Sequence, residues 1–241
     1  MRSVAAGFAL MTLVSQSLAA QQPKSDSAVT RRPARSILGW AEVVGIAAIT
    51  GMAFSRDQLL RDRLHDPHDA LGRTLSDLGN GFGDGAVVYP GLFALSMGGR
   101  VFKKPGLQKL GSRALESTLL AGAAALALKS IIGRQRPNSS GSNAYVFQPF
   151  ATGDISFPSG HTAVAFALAT SLARETKDQW TDLAFFAAAS LTAYSRMHDD
   201  KHWASDVIVG AGIGILSARF VHRFEGRVAV APGHIGVSLA F

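Results

Sequence analysis

The chain has 241 residues, room for one sizeable domain, whereas two full ones would be cramped at about 150 residues each. Charged residues make up 17% against a typical ~25%, and apolar residues reach 47%, which excludes a disordered chain. Cysteine is absent, so a disulfide framework, a thiolate metal site and a Cys nucleophile are all excluded, while Lys and Arg outnumber the acids 24 to 17.

In chain order, residues 1–20 read as an export signal. Arg2 supplies the positive start, Val4 to Val14 an apolar run, and Ser17-Leu18-Ala19-Ala20 a small-residue cleavage region. An uncleaved N-terminal anchor is the rival reading. Residues 21–36 are polar, with Pro23, Pro33, Arg31, Arg32 and Arg35, and form a flexible lead-in. Six apolar stretches follow: Ile37–Phe54, Ala86–Val101, Leu115–Ile132, Thr162–Ala173, Leu183–Tyr194 and Ala204–Phe220. Ala and Leu dominate most of them, which favours helix over strand. Several are shorter than the ~20 residues a helix needs to cross a bilayer. Gly210, Gly212 and Gly214 let another helix approach closely.

The tail changes period. Ile235, Val237, Leu239 and Phe241 alternate with small or polar residues after Pro232-Gly233-His234, the signature of a half-buried strand. A short hairpin within 224–241 is expected, packed on the helices, since one hairpin cannot close a barrel.

Three clusters carry the chemistry. The first is Lys129, then Arg134, Arg136 and Pro137. If the helix persists that far, Lys129 and Arg136 are two turns apart and share a face. Cations aimed at one point call for an anion, and the planar fork of arginine suits phosphate; taken alone, the cluster is equally a basic helix end. The second is Phe157-Pro158-Ser159-Gly160-His161-Thr162, which opens an apolar helix. Ser159 is a good N-cap, Gly160 allows close backbone approach, and His161 faces the helix N-terminus, an anion site. The third is Ser195-Arg196, then His202 and Asp206. Four residues apart on a helix, Asp206 can accept from one ring nitrogen of His202 and leave the other as nucleophile or base. The polar residues between, His198 to Lys201, read as a solvated loop. A metal site built on His161, His202 and Asp206 is disfavoured, because Lys129, Arg136 and Arg196 would crowd the cation with positive charge. Nucleic acid is set aside as a partner, since no dense basic block with interleaved aromatics occurs.

Together the clusters resemble the type 2 phosphatidic acid phosphatase family, which includes class A acid phosphatases and vanadium haloperoxidases. Its pattern, K-x6-R-P, then P-S-G-H, then S-R-x5-H-x3-D, is matched at every fixed position from Lys129 to Asp206. The resemblance implies an all-α, six-helix bundle, here with a short C-terminal β-hairpin, in a domain spanning 37–223 with its motif core at 115–220. It implies that His202 attacks phosphorus, Asp206 orients it, and His161 protonates the leaving alcohol and then activates water. Lys129, Arg136, Ser159, Gly160 and Arg196 hold the phosphoryl oxygens. No metal or other cofactor and no obligatory protein partner is expected. The polar insert at 197–201 departs from the apolar residues often found there in lipid phosphatases.

The family's membrane members place all three motifs at one end of the bundle. The opposite ends here carry Arg31, Arg32, Arg35, Arg100, Lys103, Lys104, Lys109, Arg113, Arg174, Lys177, Arg219, Arg223 and Arg227. By the positive-inside bias those ends are cytoplasmic, so the site faces the periplasm from the inner membrane of a bacterial envelope. A cleaved signal would reverse this unless helix one does not cross or the whole domain is exported. The expected substrate is a phosphate monoester or diphosphate of a membrane lipid. The alternatives are a soluble periplasmic phosphatase of broad specificity, a vanadium haloperoxidase and a non-catalytic envelope protein.

Overall fold

A computed structural model describes residues 40–66, 68–141, 143–176 and 178–224, together with the backbone of 228–231 and 234–237. The expected signal or anchor and lead-in lie outside the described residues. Helices dominate: α1 (Trp40–Phe54), α2 (Asp57–Leu64), α3 (Ala70–Asn80), α4 (Gly85–Val101), α5 (Pro105–Ile132), α6 (Gly160–Thr176), α7 (Gln179–His198) and α8 (Ala204–Arg223).

The six apolar stretches correspond to α1 and α4–α8, but the count of six helices is corrected by two further ones, α2 and α3. Both lie in the polar segment 57–80, where no apolar run marks them. Their local signals are caps and spacing. The Asp69 carboxylate accepts from the Leu71 amide at 3.0 Å and starts α3. Gly72, Ser76 and Gly79, at i, i+4 and i+7, make its buried face. Asp84 caps α4 and Asp178 caps α7 in the same way. Pro105 occupies the first turn of α5, where its missing N–H costs nothing. Gly133, at φ 61°, ends that helix in the left-handed conformation that glycine adopts freely.

The centre of the bundle is α6, flanked by α5, α7 and α8. Its alanines at 163, 165, 167 and 169 are fully buried, and Val164, Leu168 and Leu172 join Leu92, Leu110 and Phe185 in the core. Small residues set the spacing. A Cβ added to Gly214 would strike the Ala163 carbonyl, and one on Gly210 would come within 2.5 Å of the Ser159 carbonyl. Thus α8 lies on α6 backbone to backbone, through two glycines one turn apart. Gly212 faces the other way and would meet only Ile46, at 3.7 Å.

Outer faces stay apolar. Leu119, Leu120, Leu126 and Ile131 of α5 are exposed, as are Phe93, Trp180, Leu183 and Phe220 on other helices. Among the described residues, α5 and α8 are long and apolar enough to cross a membrane. The α4–α5 turn and the end of α8 carry Arg100, Lys103, Lys104, Arg219 and Arg223, at the bundle end opposite the three motifs.

The expected C-terminal hairpin falls on 224–241, whose turn and side chains lie outside the described residues. Its backbone runs as β1 (Val228–Ala231) and β2 (His234–Val237), paired antiparallel.

The α6–α8 contact makes a prediction with two signs. Gly214→Leu is expected to destabilise the fold by at least about 1–3 kcal/mol, because neither backbone can retreat. Gly212→Ala, in ordinary contact and with better helix propensity, is expected to be neutral or stabilising by up to about 1 kcal/mol. Thermal unfolding of the two variants in detergent measures the difference.

Candidate active site

All three motifs meet at one end of the bundle, although not always by the route the spacing suggests. Helix α5 stops at Ile132, so Lys129 and Arg136 do not share a helical face. After the left-handed Gly133 the chain reverses, and Arg134 and Gln135 form isolated β-bridges with Phe147 and Ile155. The returning strand carries Ser156, Pro158 and Ser159 back across Lys129. The Lys129 ammonium donates to the carbonyls of Ile155 at 2.8 Å and Ser156 at 3.0 Å, which uses two of its three N–H groups.

The second motif opens α6. Ser159 is fully buried and its hydroxyl pairs with that of Thr162 at 2.9 Å. The Ser159 amide donates to the carbonyl of Asp206 at 3.0 Å, which welds the second motif to the third. The first amides of α6, from Gly160 onward, start a helix and point out of its N-terminus. His161 sits in the first turn, beneath the Gly81–Asp84 loop; a Cβ on Gly83 would collide with the His161 carbonyl. His161 lies in the electrostatic range of Arg196, Asp84, Arg136 and Lys129.

The third motif spans the α7–α8 corner. The His202 amide donates to the Arg196 carbonyl at 3.1 Å, which fixes the distance between the two side chains' roots. His202 itself precedes α8, and Asp206 is the third residue of that helix. Asp206 Oδ2 accepts from the Trp203 amide at 2.9 Å and lies 3.5 Å from His202 Nδ1. The two side chains are 4% and 0% exposed, so this is no surface ion pair. At 3.5 Å no hydrogen bond to Nδ1 is formed, but the carboxylate beside it favours the tautomer with the proton on Nδ1 and the lone pair on Nε2. Burial pushes the His202 pKa down to about 4, against the opposing pull of the Asp206 carboxylate; Lys129 and Arg196 add to the lowering. His202 is therefore a neutral imidazole near pH 7.

Behind Asp206 lies a residue that the sequence placed in the first cluster without a role. Arg134 is fully buried, and all five of its N–H groups are used. Nε and Nη2 donate to the Ala144 carbonyl at 2.9 and 2.8 Å. Nη1 donates to Ser205 Oγ at 2.7 Å and Asp206 Oδ1 at 2.8 Å, and Nη2 donates to Asp57 Oδ2 at 2.7 Å. Phe54, Phe147 and Trp203 cover the guanidinium, with ring centroids 4.8, 5.7 and 5.2 Å from Cζ. Asp57 was not legible as a site residue: a single acid in a polar stretch has no periodicity to betray its burial.

The expectation of a solvated loop at 198–201 is overturned. His198 and Asp200 are 4% and 6% exposed. Asp200 takes a bidentate pair from Arg61 of α2, both bonds at 2.7 Å. Asp199 accepts from Ser76 at 2.5 Å and from Asn80 at 3.1 Å, both on α3. The insert is polar because it seats two helices that sequence periodicity missed. The same Asn80 accepts from Arg196 Nη1 at 2.8 Å, so this seat also aims Arg196. Arg136 pairs with Asp154 at 3.3 Å. Nε of Arg136 and Nε of Arg196 are buried and make no hydrogen bond among the described residues.

The assembly therefore combines a neutral imidazole held by a carboxylate, a second histidine, three cations and a helix N-terminus. Like charges in a concavity repel one another, and donors of this number suit a tetrahedral oxyanion.

Comparison with known proteins agrees with the motif reading. Residues 111–228 match the family model described as the PAP2 superfamily. A lipid A 1-phosphatase from Porphyromonas gingivalis is 39% identical over 134 residues, covering 54% of this chain and 27% of that protein. An undecaprenyl-diphosphatase from Sulfolobus acidocaldarius is 30% identical over 114 residues, covering 47% of this chain and 53% of that one. The chain thus spans about a quarter and about half of the lengths of these curated relatives. Two crystal structures share the fold. LpxE of Aquifex aeolicus superposes with a TM-score of 0.51 at 24% identity, covering 70% of this chain and 93% of that one. The PAP2-type phosphatidylglycerolphosphate phosphatase of Bacillus subtilis gives 0.59 at 19% identity, covering 77% and 96%. On motif order, site geometry and the matched segment, the chain is similar to the PAP2 superfamily over residues 111–228.

Proposed function

We propose that the protein is a phosphoric ester hydrolase that removes a phosphate from a membrane lipid through a phosphohistidine on His202. The observation that carries this reading is the buried, neutral His202 with the Asp206 carboxylate 3.5 Å from its Nδ1, faced by Lys129 and Arg196. Nε2 attacks phosphorus in line with the leaving oxygen, the P–O ester bond breaks, and His161 gives its proton to the departing alkoxide. His161 then takes a proton from water, which attacks the phosphohistidine and returns His202 with free phosphate. Lys129, Arg136 and Arg196 stabilise the charge that spreads over the equatorial oxygens. Ser159 and Gly160 complete the cradle. Because the Ser159 amide is spent on Asp206 and its hydroxyl on Thr162, its contribution is to hold the start of α6 in place, and the amides from Gly160 onward supply the helix-end donors. Asp206 stabilises the positive charge that His202 gains.

A lipid substrate is supported by the exposed apolar faces and by α5 and α8, and by the lipid phosphates named for the two curated relatives. An apolar groove of about 720 Å³ adds to this; Ile46, Phe54, Phe147, Val209 and Leu216 line it, and it reaches Phe157 beside the second motif. The basic residues at the opposite bundle end support a domain of residues 37–223 held in the bacterial inner membrane with its site toward the periplasm. A soluble acid phosphatase is the second reading, favoured by the export-like N-terminal sequence.

The test is a phosphate-release panel of lipid and soluble esters in detergent, with and without chelator. Release from phosphatidic acid or a polyprenyl diphosphate is expected to survive chelation. It is expected to fall at least about a thousandfold in His202→Ala. Undiminished release by that variant would refute the mechanism, and release from soluble esters alone would favour the second reading.

His161→Ala is expected to lose about 10²–10⁴-fold on an alkyl phosphate, where the leaving group needs a proton. With an aryl phosphate, a far better leaving group, the loss is expected to be much smaller; equal losses would deny His161 the acid role.

The pH dependence has a definite sign. The nucleophile must be neutral, and so must His161 when it takes a proton from water, so activity is expected to persist at pH 5 and to collapse as pH falls through about 4, where both imidazoles take up a proton. A pH series with an aryl phosphate measures this limb.

A further inference from the structure

Asp57 lies at the start of α2, outside the matched segment 111–228 and remote in sequence from every motif. It is 1% exposed, and its carboxylate touches the third motif directly. Oδ1 accepts from the Ser205 amide at 2.9 Å, and Oδ2 accepts from Ser205 Oγ at 2.6 Å and from Arg134 Nη2 at 2.7 Å. The direction of these bonds is fixed. A guanidinium only donates, so Ser205 Oγ receives from Arg134 and sends its own proton to Asp57. Every partner of Asp57 is a donor, which requires the ionised carboxylate. Burial raises its pKa above the ordinary carboxylate range, while the bonds from Ser205 and Arg134 oppose that shift.

The charge balance follows. Asp206 alone would give His202 a full negative charge to lean on, but Arg134 is bonded to the far oxygen of that carboxylate and would cancel it. Asp57 occupies the other side of the guanidinium and restores the balance to one net negative charge. We infer that Asp57, acting through Arg134 and Ser205, is a positioning residue for the nucleophile, keeping Asp206 both fixed in place and effectively anionic toward His202. This rests on the hydrolase reading above and extends it by a residue contributed from outside the motif segment.

The charged groups facing His202 are Asp206 from α8, Lys129 from α5 and Arg196 from α7. Asp57 and Arg134 stand behind Asp206. Removing the Asp57 charge leaves the others unchanged and makes positive charge on His202 harder to form. The step that builds the phosphohistidine cation responds to that.

The experiment uses the full chain in detergent, with active sites counted by binding of orthovanadate, a tetrahedral oxyanion. Per counted site, Asp57→Asn is expected to lower kcat about tenfold with KM within about twofold, since it acts on charge formation and not on binding. A merely structural Asp57 would reduce the number of sites and leave kcat per site where it was; that result overturns the inference. Should Asp57→Asn yield no vanadate-competent protein, Ser205→Ala decides, because it removes the bridging hydroxyl and keeps both charges. There a kcat about threefold lower at unchanged KM supports the relay, and an unaltered kcat overturns it. If the unsubstituted protein neither binds vanadate nor releases phosphate, the hydrolase reading fails and the relay with it.

Discussion

The structure depends on a buried ion triplet. Arg134 joins Asp57 at the start of α2 to Asp206 at the start of α8, all three side chains within 0–1% exposure. Ions taken out of water lose several kcal/mol of hydration each, and only good geometry and full hydrogen bonding offset the loss. Both conditions hold here, since each guanidinium N–H has an acceptor and three aromatic rings exclude water. Loss of any one member would strand the others, so the chain is committed to this arrangement before substrate arrives. The triplet also fixes where His202 can stand, because Asp206 is shared between the two.

Around this point the site is held by backbone as much as by side chains. The Ser159 amide meets the Asp206 carbonyl, the His202 amide meets the Arg196 carbonyl, and Gly210 and Gly214 bring α8 against the main chain of α6. Such contacts have little freedom to adjust, which suits a reaction whose catalysis is positioning and charge stabilisation. The cations are anchored differently: Lys129 by carbonyls of the returning strand, Arg196 by Asn80, and Arg136 by the more exposed Asp154.

Much of this was legible in the sequence, for a physical reason. The reaction needs particular residue types at fixed spacing, and Lys129, Arg136, Ser159, Gly160, His161, Arg196, His202 and Asp206 carry that spacing on the page. Apolar runs likewise marked the long helices. What periodicity could not reach were contacts between polar residues far apart in the chain. Asp57 and Arg134 are 77 residues apart, and neither sits in a pattern. Asp199 and Asp200 look solvated until α2 and α3 are placed over them. Helix α3 buries glycine and serine in place of leucine, and α2 buries Asp57, so no hydrophobic stripe announces them. The two-turn argument for Lys129 and Arg136 reached the right neighbourhood through a helix that in fact ends four residues early.

One consequence of the ion triplet concerns how freely the halves of such a protein can be recombined. The motif segment carries every reacting group, which makes the N-terminal helices look like interchangeable wrapping. Here the wrapping donates the anion that balances Arg134, so a chimera that swaps residues 40–101 for a foreign sequence inherits an unmatched guanidinium in its interior. Transplanting this reaction centre requires carrying an acid on the incoming helix, or redesigning the arginine along with it.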